Sequence, residues 1–350
     1  MNPINRRTFI GMTGLSGMAY LIQSAAGKLG LKEDQGQPGD YAVHGQGNPA
    51  KNNDSLVHTG FDMPGVVGEV DHVRNGFDPA EILTDFDSGK VSVLPGGQTL
   101  HEYEFVALDK DIELASNLMF PAWTYNGRIP GPTIRVREGD RVRVKFINTT
   151  THPHTIHFHG IHPGNMDGVF EPVMPGGQFV YEFDAEPFGV HLYHCHTMPL
   201  AKHIAKGLYG AFIIDPPQDR PKADREMVMV MNGFDVDFDN ANEFYAVNTI
   251  PFYYDRHPIH IKVGELIRIY LINILEYDPI NSFHLHANLF HYYPTGTSLT
   301  PAEFTDTISQ MQAQRGILEF RYRFPGKYMF HAHKTEFAEL GWTGNFLVEV

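Results

Sequence analysis

The sequence predicts an all-β protein built from two β-sandwich domains, and three observations carry that reading. Thirty-four Gly and 24 Pro in 350 residues punctuate the chain too often for long helices. Segments such as Thr133–Arg137 and residues 142–146 alternate apolar and polar side chains, the period of a half-buried strand. A set of motifs also recurs, in one order, in both halves of the chain.

Composition narrows the function classes. Apolar residues make up 42% and charged residues 19%, which excludes a disordered chain or a coiled coil. A formal charge of −14, from 27 basic and 41 acidic residues, argues against nucleic acid or an anionic membrane as the main partner. The single cysteine, Cys195, forbids an intrachain disulfide and leaves one thiol to explain. Twenty histidines are the unusual number, and their positions decide the reading.

The first thirty residues read as an address. Arg6-Arg7 precedes Thr8-Phe9-Ile10 and a Gly-rich, weakly apolar stretch that ends at Ser24-Ala25-Ala26. That stretch falls short of the ~20 residues that span a bilayer and matches a signal segment. The twin-arginine type exports folded cargo, so a periplasmic or extracellular location is expected. Residues 31–95 show little periodicity and are expected to form an irregular arm.

The remainder is one module used twice, over 96–217 and 218–350, with Asp215-Pro216-Pro217 at the joint. In the first copy, 133–137 and 142–146 are expected to pair as strands turned by Glu138-Gly139-Asp140. In the second, 259–263 and 267–271 repeat the figure around Gly264-Glu265. Both copies close on Ile-Asn, at Ile147-Asn148 and Ile272-Asn273. Each then carries a His-x-His, at His157/His159 and His284/His286. A Gly stands five residues before a second such pair, at His194/His196 and His331/His333. The offset between copies grows from 125 to 127 to 137, as loop insertions in a duplicated domain would produce.

Four His-x-His pairs carry the chemistry. Side chains at i and i+2 of a strand share a face, so each pair presents two imidazoles to one point. Imidazole suits copper, zinc, iron and nickel. Eight imidazoles exceed the needs of one tetrahedral zinc and are enough for about three metals lying between the domains. The copies differ at their centres: His194-Cys195-His196 against His331-Ala332-His333. Strand parity turns Cys195 away from its flanking histidines and His154 away from His157 and His159. With His203, eight residues after Cys195, these form a separate set of two imidazoles and a thiolate, the donor set of blue-copper electron-transfer sites. The second copy has Asn281 and Ala332 at the matching places.

Pro130-Gly131-Pro132-Thr133-Ile134, His154-Thr155-Ile156-His157-Phe158-His159-Gly160, Met166-Asp167-Gly168-Val169 and His194-Cys195-His196 together resemble a multicopper oxidase built from Greek-key cupredoxin domains. The layout is similar to two-domain, laccase-like oxidases with blue copper in the first domain, and the likeness covers roughly residues 100–350. It implies a type 1 copper on His154, Cys195 and His203, and about four coppers per chain. It implies type 2 copper on His157 and His284. The type 3 pair would rest on His159, His194, His196, His286, His331 and His333. It further implies a donor oxidised one electron at a time and dioxygen reduced to water. Phenols, aromatic amines, metal ions and a small redox protein are all candidate donors. Asp167 matches the family acid beside the cluster, and Glu336, three residues after His333, is a second candidate proton donor. His152 and His162 stand near the ligand motifs as supporting groups.

Two departures stand out. Leu208, five residues after His203, occupies the axial place where many relatives carry Met, with Met198 as an alternative neighbour. The long step from Cys195 to His203 resembles copper nitrite reductases, the competing reading. Those enzymes need one mononuclear type 2 site and fewer histidines, and a simple copper carrier needs fewer still. Each domain supplies four paired histidines, and the resemblance to two-domain oxidases implies a head-to-tail homotrimer with clusters between chains.

Overall fold

A computed structural model describes residues 68–350, so the signal segment and most of the arm, 1–67, lie outside the described residues. The protein is all-β, with strands in four sheets and helices of at most six residues. Among the described residues no helix is long and apolar enough to cross a membrane.

In the first half, one sheet runs Phe86–Asp87, Thr133–Arg137, Tyr209–Asp215, Gly189–His194, His157–Phe158. The facing sheet runs Lys90–Val93, Thr99–Ala115, Arg141–Asn148, Gln178–Asp184, with Leu118–Tyr125 folded back on Thr99–Ala115. The second half repeats the plan. Phe244–Val247, Arg225–Phe234, Ile267–Asn273, Arg315–Phe320, Phe290–Pro294 and Glu303–Thr305 form one sheet. Ile259–Lys262, Thr343–Glu349, Gly326–His331, Asn281–Leu285 and Thr307–Gln310 form the other.

Two sequence expectations need correction. Thr133–Arg137 and Arg141–Asn148 are both strands, but they lie in different sheets and do not pair. Gly139, at φ 89°, turns the chain from one layer to the other, and Gly264, at φ 82°, does so in the second half. A two-residue period identifies a strand without naming its neighbour. The expected irregular arm also ends early. His72–Asn75 and Pro79–Ile82 are short helices capped by the carboxylates of Asp71 and Asp78. Phe86–Asp87 and Lys90–Val93 then join both sheets of the first half. Elements of two to four residues are too short to show a period.

Three apolar clusters hold the molecule together. One fills the first sandwich around Phe105, Phe146, Tyr181 and Phe212, and another fills the second around Phe283, Phe330, Trp342 and Phe346. The third joins the halves, with Val190, Leu192, Ala211 and Ile213 against Val228, Val230, Ile272 and Ile317. Gly189–His194 is therefore buried on both faces along its whole length. Contacts from the second half fix its start: Thr295 O accepts from Val190 N at 2.8 Å, and Arg315 Nε donates to Val190 O at 3.0 Å. This is the strand that delivers His194, Cys195 and His196.

Candidate metal centres

Among the described residues, the predicted ligands converge in three sets. The first is His154, Cys195 and His203, brought from three separate places. His154 sits on a short bridge to Val173, with backbone bonds of 3.1 and 2.9 Å. Cys195 follows the strand Gly189–His194, its N–H on Leu208 O at 2.9 Å. His203 projects from the helix Leu200–Ala205. The two Nδ1 atoms are 3.1 Å apart, and Cys195 Sγ lies 3.2 Å from His203 Nδ1 and 3.8 Å from His154 Nδ1. Thr155 N–H points at the sulfur, 3.4 Å away.

All three side chains are buried, and burial sets their protonation. It pushes His154 down to about 3 and His203 to about 4, so both imidazoles stay neutral. It pushes the Cys195 thiol up, against the pull of N–H groups from Thr155 and Thr197. Two neutral nitrogens and one sulfur aimed at a common point suit a copper ion, whose charge would favour the thiolate. Leu208 is wholly buried in the same apolar cluster as Cys195, whereas Met198 is 77% exposed. Of the two candidate neighbours, Leu208 alone shares the buried cluster that holds Cys195.

The second set is His157, His159, His194 and His196. Ring centres lie 5.1 to 5.4 Å apart for His157 with each of the other three, and His159 Nε2 is 3.2 Å from His194 Nε2. Two of the outer nitrogens are committed elsewhere. His157 Nδ1 meets Asp167 O at 2.8 Å, and His194 Nδ1 meets Cys195 O at 2.9 Å. An Nδ1–H donated to a carbonyl leaves Nε2 with its lone pair facing inward, the tautomer a metal requires. Burial lowers His159 to about 2 and His194 to about 4.

The third set, His284, His286, His331 and His333, repeats the second. His286 Nε2 and His331 Nε2 are 2.9 Å apart, and His284 is ring-packed on the other three at 4.9 to 5.3 Å. His331 Nδ1 meets Ala332 O at 2.7 Å, as His194 meets Cys195 O. His333 N–H donates to Ser282 Oγ at 2.8 Å, as His196 N–H donates to Thr155 Oγ1 at 3.0 Å. This set is more open, with His286 and His333 exposed. Among the described residues, no ring or hydrogen-bond contact joins the second set to the third.

The two acid candidates separate. Asp167 Oδ1 lies 3.1 Å from His157 Nδ1 and 3.9 Å from His162 Nε2, which itself bonds Phe158 O at 2.8 Å. Glu336 lies on the short helix Thr335–Glu339, exposed, its carboxylate 3.1 Å from Lys334 Nζ. Trp123, which the sequence did not single out, packs on both His154 and His203 at 5.2 and 4.8 Å. No local signal marks it, since it comes from a strand about thirty residues upstream.

Two family models, both described as multicopper oxidase, match residues 109–219 and 221–350. The chain belongs to the multicopper oxidase family. A solved structure described as a multicopper oxidase is 61% identical, with a TM-score of 0.79, covering 80% of this chain and all of that one. Copper nitrite reductase from Nitrosomonas europaea is 27% identical, with a TM-score of 0.66, over 71% of this chain and 94% of its own. The copper-containing nitrite reductase of Neisseria meningitidis is 28% identical over 250 residues, 65% of this chain. The match spans 63% of that relative's length. Family membership supports an oxidoreductase of cupredoxin-like fold and implies copper, which suits the sulfur-and-imidazole and all-imidazole sets.

Proposed function

We propose that the protein oxidises a donor one electron at a time and reduces dioxygen to water, in the manner of a laccase. His154, Cys195 and His203 would hold type 1 copper. His157 and His284 would hold type 2 copper, and His159, His194, His196, His286, His331 and His333 the type 3 pair. Copper supplies the electron storage and transfer, and the protein supplies geometry and protons. Cys195 is bonded through the chain to His194 and His196, so the two sites are joined by a few covalent bonds. Asp167 orients His157 through its backbone carbonyl, and its carboxylate lies at the edge of that ring with His162 behind it.

One observation carries the reading: both halves present four packed imidazoles, with matching outer-nitrogen bonds on His194 and His331. A single mononuclear type 2 site has no use for eight. The nitrite reductase relatives make that activity the second reading. Oxygen consumption with a phenol or aromatic amine, against nitrite consumption with a reduced dye, distinguishes the two.

The separation of the two imidazole sets supports an assembly in which they are completed between chains. Each set is half of a cluster, and a head-to-tail ring of three chains would close every half against its complement. A mixture of a Cys195→Ser chain with a His286→Ala chain tests this. Verified mixed trimers should regain oxidase activity where the sound halves meet, and inactive mixed trimers would show that each cluster belongs to one chain. Twin-arginine export to the periplasm or beyond is proposed from Arg6-Arg7 alone. Replacing both by Lys should leave the protein in the cytoplasm on fractionation.

A further inference from the structure

The proposed type 1 ligands are sealed inside the chain. His154 and Cys195 have no exposed surface and His203 retains 3%. A donor therefore touches none of them and must pass its electron across the side chains that cover them. Trp123 is that cover. Its ring centre lies 4.8 Å from His203 and 5.2 Å from His154 on the inner side, and 4.7 Å from the exposed His152 on the outer side. The Lys202 ammonium stands 5.6 Å from the same ring. The backbone N–H of Trp123 donates to Lys206 O at 2.9 Å, which ties its strand to the segment that carries His203.

We propose that Trp123 is the residue through which electrons enter the type 1 site. It acts as a positioning residue that couples an outer-sphere one-electron donor, docked at the His152–Lys202 surface, to His203 and His154. The inference rests on the copper reading above. The donor would lose one electron and be oxidised by one unit, and a copper held by His154, Cys195 and His203 would take that electron up, going from Cu(II) to Cu(I). No bond forms or breaks, no proton moves, and the indole ends unchanged. Packed rings between donor and ligand keep every gap small, where a solvent or aliphatic gap would weaken the coupling. Donors of different shape are then served alike, because none has to fit a pocket against the copper.

Packing alone also favours an aromatic ring here. In the second half Tyr245 stacks on Phe337, with ring centres 3.8 Å apart, where no copper ligands are present. The test must therefore separate coupling from packing. The copper-loaded full chain is mixed anaerobically with hexaammineruthenium(II), and the decay of the blue absorption is followed by stopped flow. Trp123→Leu should slow reduction several-fold and Trp123→Phe should slow it less. The position of the blue band, the type 1 potential and the rate at which oxygen reoxidises the prereduced protein should stay at wild-type values. Wild-type reduction rates in the Leu variant, with band and potential unchanged, would overturn the proposal. If that variant loses its blue band, His152→Ala decides instead: a several-fold slower reduction supports the route and an unchanged rate refutes it. Failure of the copper reading itself looks different, because the wild-type chain loaded with copper would then show no blue band.

Discussion

The two halves share a backbone plan around the place where the first holds its cysteine, and they fill that place oppositely. Cys195 N–H bonds Leu208 O at 2.9 Å, and Ala332 N–H bonds Trp342 O at 3.2 Å. Leu208 N–H reaches His203 O at 3.3 Å, and Trp342 N–H reaches Phe337 O at 2.8 Å. Trp123 N–H bonds Lys206 O as Tyr245 N–H bonds Leu340 O. Position for position, Cys195, His203, Leu208 and Trp123 become Ala332, Phe337, Trp342 and Tyr245, and Asn281 stands for His154. The loop and short helix therefore form without a metal site. In the second half Trp342 packs on Phe283 and Phe330, and the pocket is an apolar core. The first half buries two imidazoles and a thiol there, at the cost of desolvating them. The paired histidines, by contrast, are kept in both halves with the same outer bonds.

The largest effect expected from this contrast is functional. His286→Ala should remove cluster copper and abolish oxygen reduction while the blue band persists, since its ring lies in the second half, away from Cys195. Loss of the blue band in a folded variant would show that the two sites are not separate. Next comes stability. Trp342→Ala should destabilise the protein by about 3–5 kcal/mol, the usual cost of emptying a large buried aromatic site, with no change in the blue spectrum. Urea unfolding together with the absorption spectrum checks both parts.

Acid should act unequally on the halves of the metal-free protein. His154, His159, His191, His194 and His203, all in the first half, are held by burial between about 2 and about 4, below the ordinary 6.5. Their neutral forms stabilise the fold fully above that ordinary value. As pH falls from about 6.5 towards those depressed values, the unfolded chain takes up protons that the folded chain refuses, and stability is lost. In the second half, His286 and His331 are lowered by partial burial. Hydrogen exchange across this range should show the first half opening before the second, and the reverse order would contradict the contrast. The smallest effect concerns the axial place. Leu208→Met should lower the type 1 potential modestly by offering a thioether, while Met198→Leu should leave it unchanged, and a redox titration reads both.

The paired histidines were legible in the sequence because a two-residue period on a strand fixes their face without any knowledge of partners. Cys195, His154 and His203 were legible from parity and spacing, and from the lack of counterparts at 281 and 332. Sheet partnership was not: nothing in 133–148 distinguishes a hairpin from a crossing between layers. The tautomer-fixing carbonyls of Asp167, Cys195 and Ala332 carry no side-chain signal. Trp123 was missed for a related reason, since its contact with His203 joins residues eighty apart. Sequence proximity placed Glu336 near His333, but the ion pair it makes with Lys334 had no signal in the sequence.

The central claim is that one half holds a mononuclear copper on Cys195 while eight imidazoles hold a separate cluster. Copper content per chain, measured with electron paramagnetic resonance on the wild-type protein and on Cys195→Ser, tests it most directly. The expected result is about four coppers falling to about three, with loss of the type 1 signal and retention of the type 2 signal. About two coppers falling to about one would contradict the cluster and point to a mononuclear second site, as a nitrite reductase requires.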